Sequence, residues 1–328
     1  MTCTNESSRQ RSPKKKGLDM IKGIAITGIF LYHLVPSIFP GGFLGVPLFF
    51  VLSGYLMYTT ATPYLTETSF PVWKYYKKRI SRLMPALFIM VMLICCYMTI
   101  IHSRQIIGIR PQVLSIFLGY NNWWQISQNA SYFTKMTEMS PFTHLWFLGV
   151  EMQFYLIWPL FFLLYKKLYR NYSKQAAGFF FLLLSLLSLT AMLYFYQPGN
   201  DPSRVYYGTD TMGFTICLGI FLGAVRHNFP KLQKPVPVKL QMPLFTIMLF
   251  ITILQFLFVN GNCHYLYQGG MFGISVFFAL MILLVENSKT LPRNIPLSSP
   301  AALLGRHSYS IYLWHYPVIV LILASLQK

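Results

Sequence analysis

Lys22 and His33 stand eleven positions apart in the first apolar run of the chain, Lys22-Gly-Ile-Ala-Ile-Thr-Gly-Ile-Phe-Leu-Tyr-His33. At about 100° per residue, a helix brings both side chains to within roughly 20° of one face, about 16 Å apart along its axis. A cation at the edge of a membrane segment and a titratable ring near its middle fit a long anionic ligand lying along the helix. Ionisable groups inside membrane segments mark functional paths by default. The other reading is a snorkelling lysine and a histidine that hydrogen-bonds structurally. The spacing leaves both open.

Three further groupings could do chemistry. Arg79-Ile-Ser-Arg82 puts two guanidiniums on one helix face, and guanidiniums grip phosphate oxygens in pairs. Stop-transfer charge is the competing reading. His144-Leu-Trp146-Phe-Leu-Gly-Val-Glu151-Met-Gln-Phe-Tyr155 sets Glu151 deep in an apolar segment, with Tyr155 one turn further on. A carboxyl group there needs a partner, and Gln153 or Tyr155 would satisfy a purely structural one. Ser308-Tyr309-Ser-Ile-Tyr312-Leu-Trp314-His315-Tyr-Pro317 places another histidine mid-segment among aromatic rings. A packed, hydrogen-bonded ring is the plain alternative there. Asp210, in Tyr206-Tyr207-Gly-Thr-Asp210-Thr-Met212, opens a segment and reads equally as a helix cap.

The elements that must position these groups are membrane helices. Of 328 residues, 55% are hydrophobic, 17% aromatic and 11% charged, and the mean hydropathy is +0.48. Soluble domains carry about 25% charged residues. The chain therefore reads as an all-α integral membrane protein, a single bundle whose helices satisfy their own backbone groups. Apolar segments fall at about 22–40, 43–62, 83–102, 142–165, 176–196, 209–225, 240–259, 265–285 and 301–326. Val113 to Trp124 is shorter than the ~20 residues a spanning helix needs. It reads as re-entrant or interfacial, anchored by Trp123 and Trp124. The net charge of +19 lies mainly in the tail and in the links at 63–82, 166–174, 226–239 and 286–299, the last with Lys289 and Arg293. That is the positive-inside pattern, and it argues against nucleic acid as a partner. It predicts a cytoplasmic N-terminus and nine crossings. Residues 1–18, with Arg9 and Arg11, read as a disordered basic tail rather than a cleavable leader. The five cysteines form neither a disulfide framework nor a CxxC pair, and no metal site is expected.

Taken together, these motifs resemble the acyltransferase 3 family of membrane acyltransferases. The resemblance rests on Leu18-Asp19, Lys22-x10-His33, Gly45-Val-Pro-Leu-Phe-Phe-Val-Leu-Ser53-Gly54, Arg79-x-x-Arg82, Leu145-Trp146-Phe-Leu-Gly-Val-Glu151-x-x-Phe-Tyr155 and Ser308-Tyr-Ser-Ile-Tyr-Leu-Trp-His315-x-Pro317, in family order. The block around Asp210 is most similar to the peptidoglycan O-acetyltransferase branch. Two positions differ from the usual pattern: lysine stands at 22 where arginine is common, and Met212 stands where the branch usually has arginine. Relatives of this kind continue into one more helix, and many into an extracytoplasmic SGNH-type domain, so the family domain read at 19–328 is expected to be C-terminally incomplete.

The resemblance implies transfer of an acyl group, usually acetyl, from cytosolic acyl-CoA to a hydroxyl of an envelope glycan or lipid-linked sugar. The protein would lie in the inner (cytoplasmic) membrane as a multi-pass enzyme. An SGNH-type acetyltransferase domain is the further partner it implies. On this reading Lys22, Arg79 and Arg82 hold acetyl-CoA. His33 is the general base or takes the acetyl itself. Glu151 orients the imidazole, and His315 is a further catalytic residue. Asp19, Ser53, Trp146, Tyr155 and Asp210 support substrate or structure. It follows that Lys22 and His33 should open onto one cavity. A transporter or channel with a proton relay through His33, Glu151 and His315 is the alternative. An inactive scaffold is a second.

Overall fold

The computed structural model describes residues 13–101, 109–133, 140–288, 291 and 300–326. Arg9 and Arg11 of the basic tail, and Lys289 and Arg293 of the last link, lie outside the described residues. Among the described residues all regular structure is helical. The helices are α1 Pro13–Leu34, α2 Gly45–Ala61, α3 Val72–Ile101, α4 Ile109–Phe117, α5 Asn121–Ser127, α6 Trp146–Asn171, α7 Lys174–Phe195, α8 Ser203–Tyr207, α9 Thr209–Asn228, α10 Val238–Phe258, α11 Met271–Asn287, α12 Pro300–Arg306 and α13 Ser308–Leu326.

Eight of the nine apolar segments read from the sequence each fall on a long helix, while 301–326 is divided between the short α12 and α13. Among the described residues, 7 helical stretches are long and apolar enough to cross a membrane, those of α1, α2, α3, α6, α7, α10 and α11. The rest of the long set behaves differently. α9 is largely buried between α2 and α7, and α13 is apolar over Ser308–Ile322.

Several boundaries differ from the sequence reading. α1 begins at Pro13, so the end of the expected disordered tail is helical. It stops at Leu34 rather than near 40, because Pro36 has no amide proton and drives Val35 out of the helical region. The piece at 113–124 is two short helices, α4 and α5, broken at Gly119 with φ +75. A π-turn at Leu266–Gly270, with Gly269 at φ +113, precedes α11.

The centre of the bundle is α2 against α9. A Cβ at Gly54 would lie 2.0 Å from the Ile216 carbonyl oxygen, and one at Gly219 would lie 1.9 Å from that of Val51. The two backbones touch through paired glycines, the close approach that small residues permit between membrane helices. Around this centre, α3, α7 and α10 present outward rows such as Ile80, Phe88, Ile89 and Leu93 of α3. Such rows suit a lipid surround.

Side-chain-to-backbone bonds fix the helices that carry the chemistry. Tyr76 of α3 donates to the Leu156 carbonyl of α6 at 2.7 Å, and Tyr309 of α13 donates to the Leu83 carbonyl of α3 at 2.7 Å. Lys166 and Arg170, near the C-terminal end of α6, donate to the Glu67 carbonyl at 2.6 and 2.8 Å. These last two bonds tie the link between α2 and α3 to what is here termed the basic end of the bundle.

Candidate active site

The basic end opens into a cavity of about 420 Å3. Its mouth carries Lys22 and Asp19 of α1, Thr60 of α2, and Arg79 and Arg82 of α3. Along α2 it is lined from Thr60 back to Phe49, eleven steps along the helix, which is roughly 16 Å. Phe49, Phe147 and Tyr312 line its deep end. The spacing of three between Arg79 and Arg82 puts both on the cavity wall, as the sequence implies. Arg79 lies over two rings, 4.5 Å from the Tyr155 centroid and 5.4 Å from that of Tyr75. Lys22 pairs with Asp19, one turn earlier, at 3.1 Å.

Between mouth and floor stands Glu151. Ser53 donates a short hydrogen bond to its Oε1, and the Tyr155 hydroxyl donates to the same atom at 3.3 Å. Glu151 also lies within the electrostatic reach of Arg79 and Arg82. The carboxyl group is thus held by two hydroxyls at the wall of a cationic cavity. It does not orient His33, as the sequence reading expected. Gln153, the other partner considered, bonds elsewhere: it donates to the Gly119 carbonyl and Asn122 Oδ1, each at 2.8 Å. α6 separates the two side chains because residues two apart point to different sides of a helix.

Behind the floor lie three imidazoles. The ring centroids of His33 and His315 are 5.3 Å apart, and those of His144 and His315 are 5.5 Å apart. All three residues are buried. His33 Nδ1, both nitrogens of His144 and Nε2 of His315 have no hydrogen-bond partner among the described residues. The Nδ1 of His315 lies 2.7 Å from the Tyr312 carbonyl. A carbonyl only accepts, so Nδ1 carries the proton, and in the neutral ring Nε2 keeps a lone pair. Among the described residues no group of His, Cys, Asp or Glu is arranged to hold a metal ion.

Tyr312 is the partition. Its ring stands 5.2 Å from Phe147, which lines the cavity with it, and 5.3 and 5.7 Å from His144 and His315. Its hydroxyl donates a short bond to the His144 carbonyl. The expectation that Lys22 and His33 share one cavity is therefore not met. Lys22 lines it, while His33 sits in the last turn of α1 and is not among its lining residues. Aromatic rings from α6 and α13, Phe147 and Tyr312, stand at the cavity's end instead.

The other sequence-marked residues lie elsewhere. Trp146 is buried in an aromatic core against Tyr206 and Tyr207, at 4.9 and 5.2 Å. Asp210 is not a cap, since Gly208 holds that position. It takes a two-pronged contact from Arg204 at 2.8 and 3.2 Å. Arg204 is an arginine six residues before Asp210, in a chain that has Met212 where the branch usually has one. The sequence reading passed over His144 and Tyr312, although both lie in quoted motifs. His144 precedes Glu151 by seven residues, two helical turns, and that register was the available signal.

Comparison with known proteins identifies the family. Residues 15–327 match the acyltransferase domain of the acyltransferase 3 family. The chain belongs to this family. The peptidoglycan O-acetyltransferase OatA of Listeria monocytogenes is 36% identical over 98% of the chain and 51% of its own length. YrhL of Bacillus subtilis is 36% identical over 93% of the chain and 48% of its own length. A Staphylococcus aureus relative from strain COL is 34% identical over 92% and 50% respectively. The chain thus spans about half the length of the curated relatives it matches. No solved structure matches. The family is one of acyltransferases, and the 7 long apolar helices among the described residues suit a multi-pass membrane protein.

Proposed function

We propose that this acyltransferase takes acetyl from acetyl-CoA at the basic, cytoplasmic end and transfers it to a hydroxyl of an envelope glycan, peptidoglycan or another surface polysaccharide. One observation carries the reading: a cationic cavity ends on an aromatic floor, and three imidazoles with unpartnered nitrogens lie just behind that floor. Phosphates suit Arg79 and Arg82, and Lys22 joins them if Asp19 releases it. The long arm then runs down the wall formed by α2. The basic links favour the inner membrane with the N-terminus in the cytoplasm.

For transfer, the rings of Phe147 and Tyr312 must move so that the thioester meets His33. His33 takes the proton of the acceptor hydroxyl, and the oxygen attacks the acetyl carbon. The C–S bond breaks as the C–O bond forms. The proton leaves with CoA as its thiol. His315 and His144 supply neighbouring nitrogens through which the proton is held. Glu151, at the cavity wall, is assigned to the electrostatics of the arginine site rather than to the imidazole. Delivery to glycan runs either directly, through a lipid-linked sugar, or through an SGNH-type domain.

Purified His33→Ala protein tests the base role. General-base removal should lower acetyl-CoA turnover by about 10²–10⁴-fold. Turnover at the native rate would exclude His33 as base. Feeding labelled acetyl-CoA to membrane vesicles and finding which sugar carries label identifies the acceptor.

A further inference from the structure

A second cavity of about 190 Å3 adjoins the first and shares Thr60, Arg79 and Arg82 with it. Its remaining wall joins the link after α2 to the start of α3 and the middle of α6. It combines two kinds of side chain. Lys74 and Lys78 add cations to the two shared arginines, and Tyr64, Phe70, Tyr75 and Trp158 add flat apolar rings. None of the four cations makes an ion pair with a described residue. Trp158 is fully buried, yet its indole N–H, a donor only, has no acceptor among the described residues. A buried donor left unmet is costly, and here it belongs to a ring that lines the cavity.

We infer that this second cavity is a binding site for a purine nucleotide bearing more than one phosphate, the adenosine 3′,5′-bisphosphate end of the acyl donor. The inference rests on the donor reading above and adds residues to it. A purine presents a π-face to aromatic rings and to stacked guanidinium, and ring nitrogens that accept from an indole N–H. The phosphates fall among the lysines. Arg79 and Arg82 then sit at the junction of the two cavities, against the diphosphate that joins nucleotide to arm. A 3′-phosphate reaches beyond them to Lys74 and Lys78. Glu151 and Tyr155 line the first cavity and Trp158, seven and three residues further on, lines the second, so α6 passes both in turn.

An anionic phospholipid headgroup offers phosphate too, but no purine. The test therefore measures binding of CoA, 3′-dephospho-CoA and adenosine 3′,5′-bisphosphate to the full chain in nanodiscs, with and without phosphatidylglycerol. Wild type should bind CoA at least about tenfold more tightly than 3′-dephospho-CoA, with or without that lipid, and should bind the bisphosphate alone. Lys74→Ala/Lys78→Ala should erase the preference while still binding 3′-dephospho-CoA. Trp158→Phe, which keeps the ring and removes the N–H, should weaken adenosine bisphosphate and leave a pantetheine thioester unaffected. Wild type that binds CoA but does not distinguish the two forms, or whose preference vanishes with phosphatidylglycerol, would overturn the nucleotide site and leave the donor reading standing. Failure to bind CoA at all would overturn both.

Discussion

Ser53 and Tyr155 aim two hydroxyls at one carboxyl oxygen, and the two contacts are unequal. The Ser53 bond is the shorter, while that from Tyr155 is 3.3 Å long. Glu151 is buried, so removing a donor leaves a polar group unmet in an apolar bundle. Ser53→Ala should cost about 1–3 kcal/mol of stability and lower the thermal midpoint of the detergent-solubilised protein. Tyr155→Phe keeps the ring beneath Arg79 and loses only the longer bond, so its midpoint should fall less. The reverse order would show that Tyr155, not Ser53, holds the carboxyl group. At this scale the sequence was legible wherever residues share a helix. The pairs Glu151 and Tyr155, Arg79 and Arg82, and Asp19 and Lys22 are each three or four apart and stand together as the 3.6-residue period requires. Partners from different helices were not legible. Nothing in a run of apolar residues says that Ser53 faces Glu151, or that His144 and His33 both approach His315.

Helices were legible as elements because a membrane span is long and apolar, and because basic links separate one span from the next. Their ends were less so, since Pro36, Gly119 and the turn at Gly269 act within segments that remain apolar. How closely two helices approach was also unread, although it is set by glycine. Gly219 rests on the α2 backbone at Val51, two residues before Ser53. A methyl group there has nowhere to go but into a carbonyl oxygen. Gly219→Ala should therefore push α9 from α2 and destabilise the protein by about 1–3 kcal/mol or more, the usual cost of overpacking. It should also carry Ser53 away from Glu151, so turnover should fall with stability. Gly273→Ala, on α11, serves as the control because a Cβ there meets nothing within 4 Å. Its midpoint should stay native. Equal behaviour of the two variants in a thermal melt would mean that α2 and α9 are not in backbone contact.

At the scale of the whole molecule, the proposed function puts donor binding and acyl transfer in separate places. Cations, glutamate and cavity belong to the basic end, and the three imidazoles to the far side of Tyr312. On the proposed function an acetyl group crosses the bilayer through the protein, which then must not leave an open path for water and protons, and a ring between the two compartments meets that need. Tyr312 is well placed to govern passage. It is anchored at one end by its bond to the His144 carbonyl and packed at its face by Phe147. If the ring must move for the thioester to pass, enlarging it should slow transfer without weakening the donor's hold at the arginines. Tyr312→Trp should then retain stabilisation by CoA in a thermal melt, which also shows that the variant folds. Its acetyl-CoA turnover should drop by about tenfold or more, the response to misplacing a reacting group by a fraction of a helical turn. Loss of CoA stabilisation together with turnover would place Tyr312 in the donor site itself. Native turnover would mean that acetyl reaches the histidines by a path this ring does not guard.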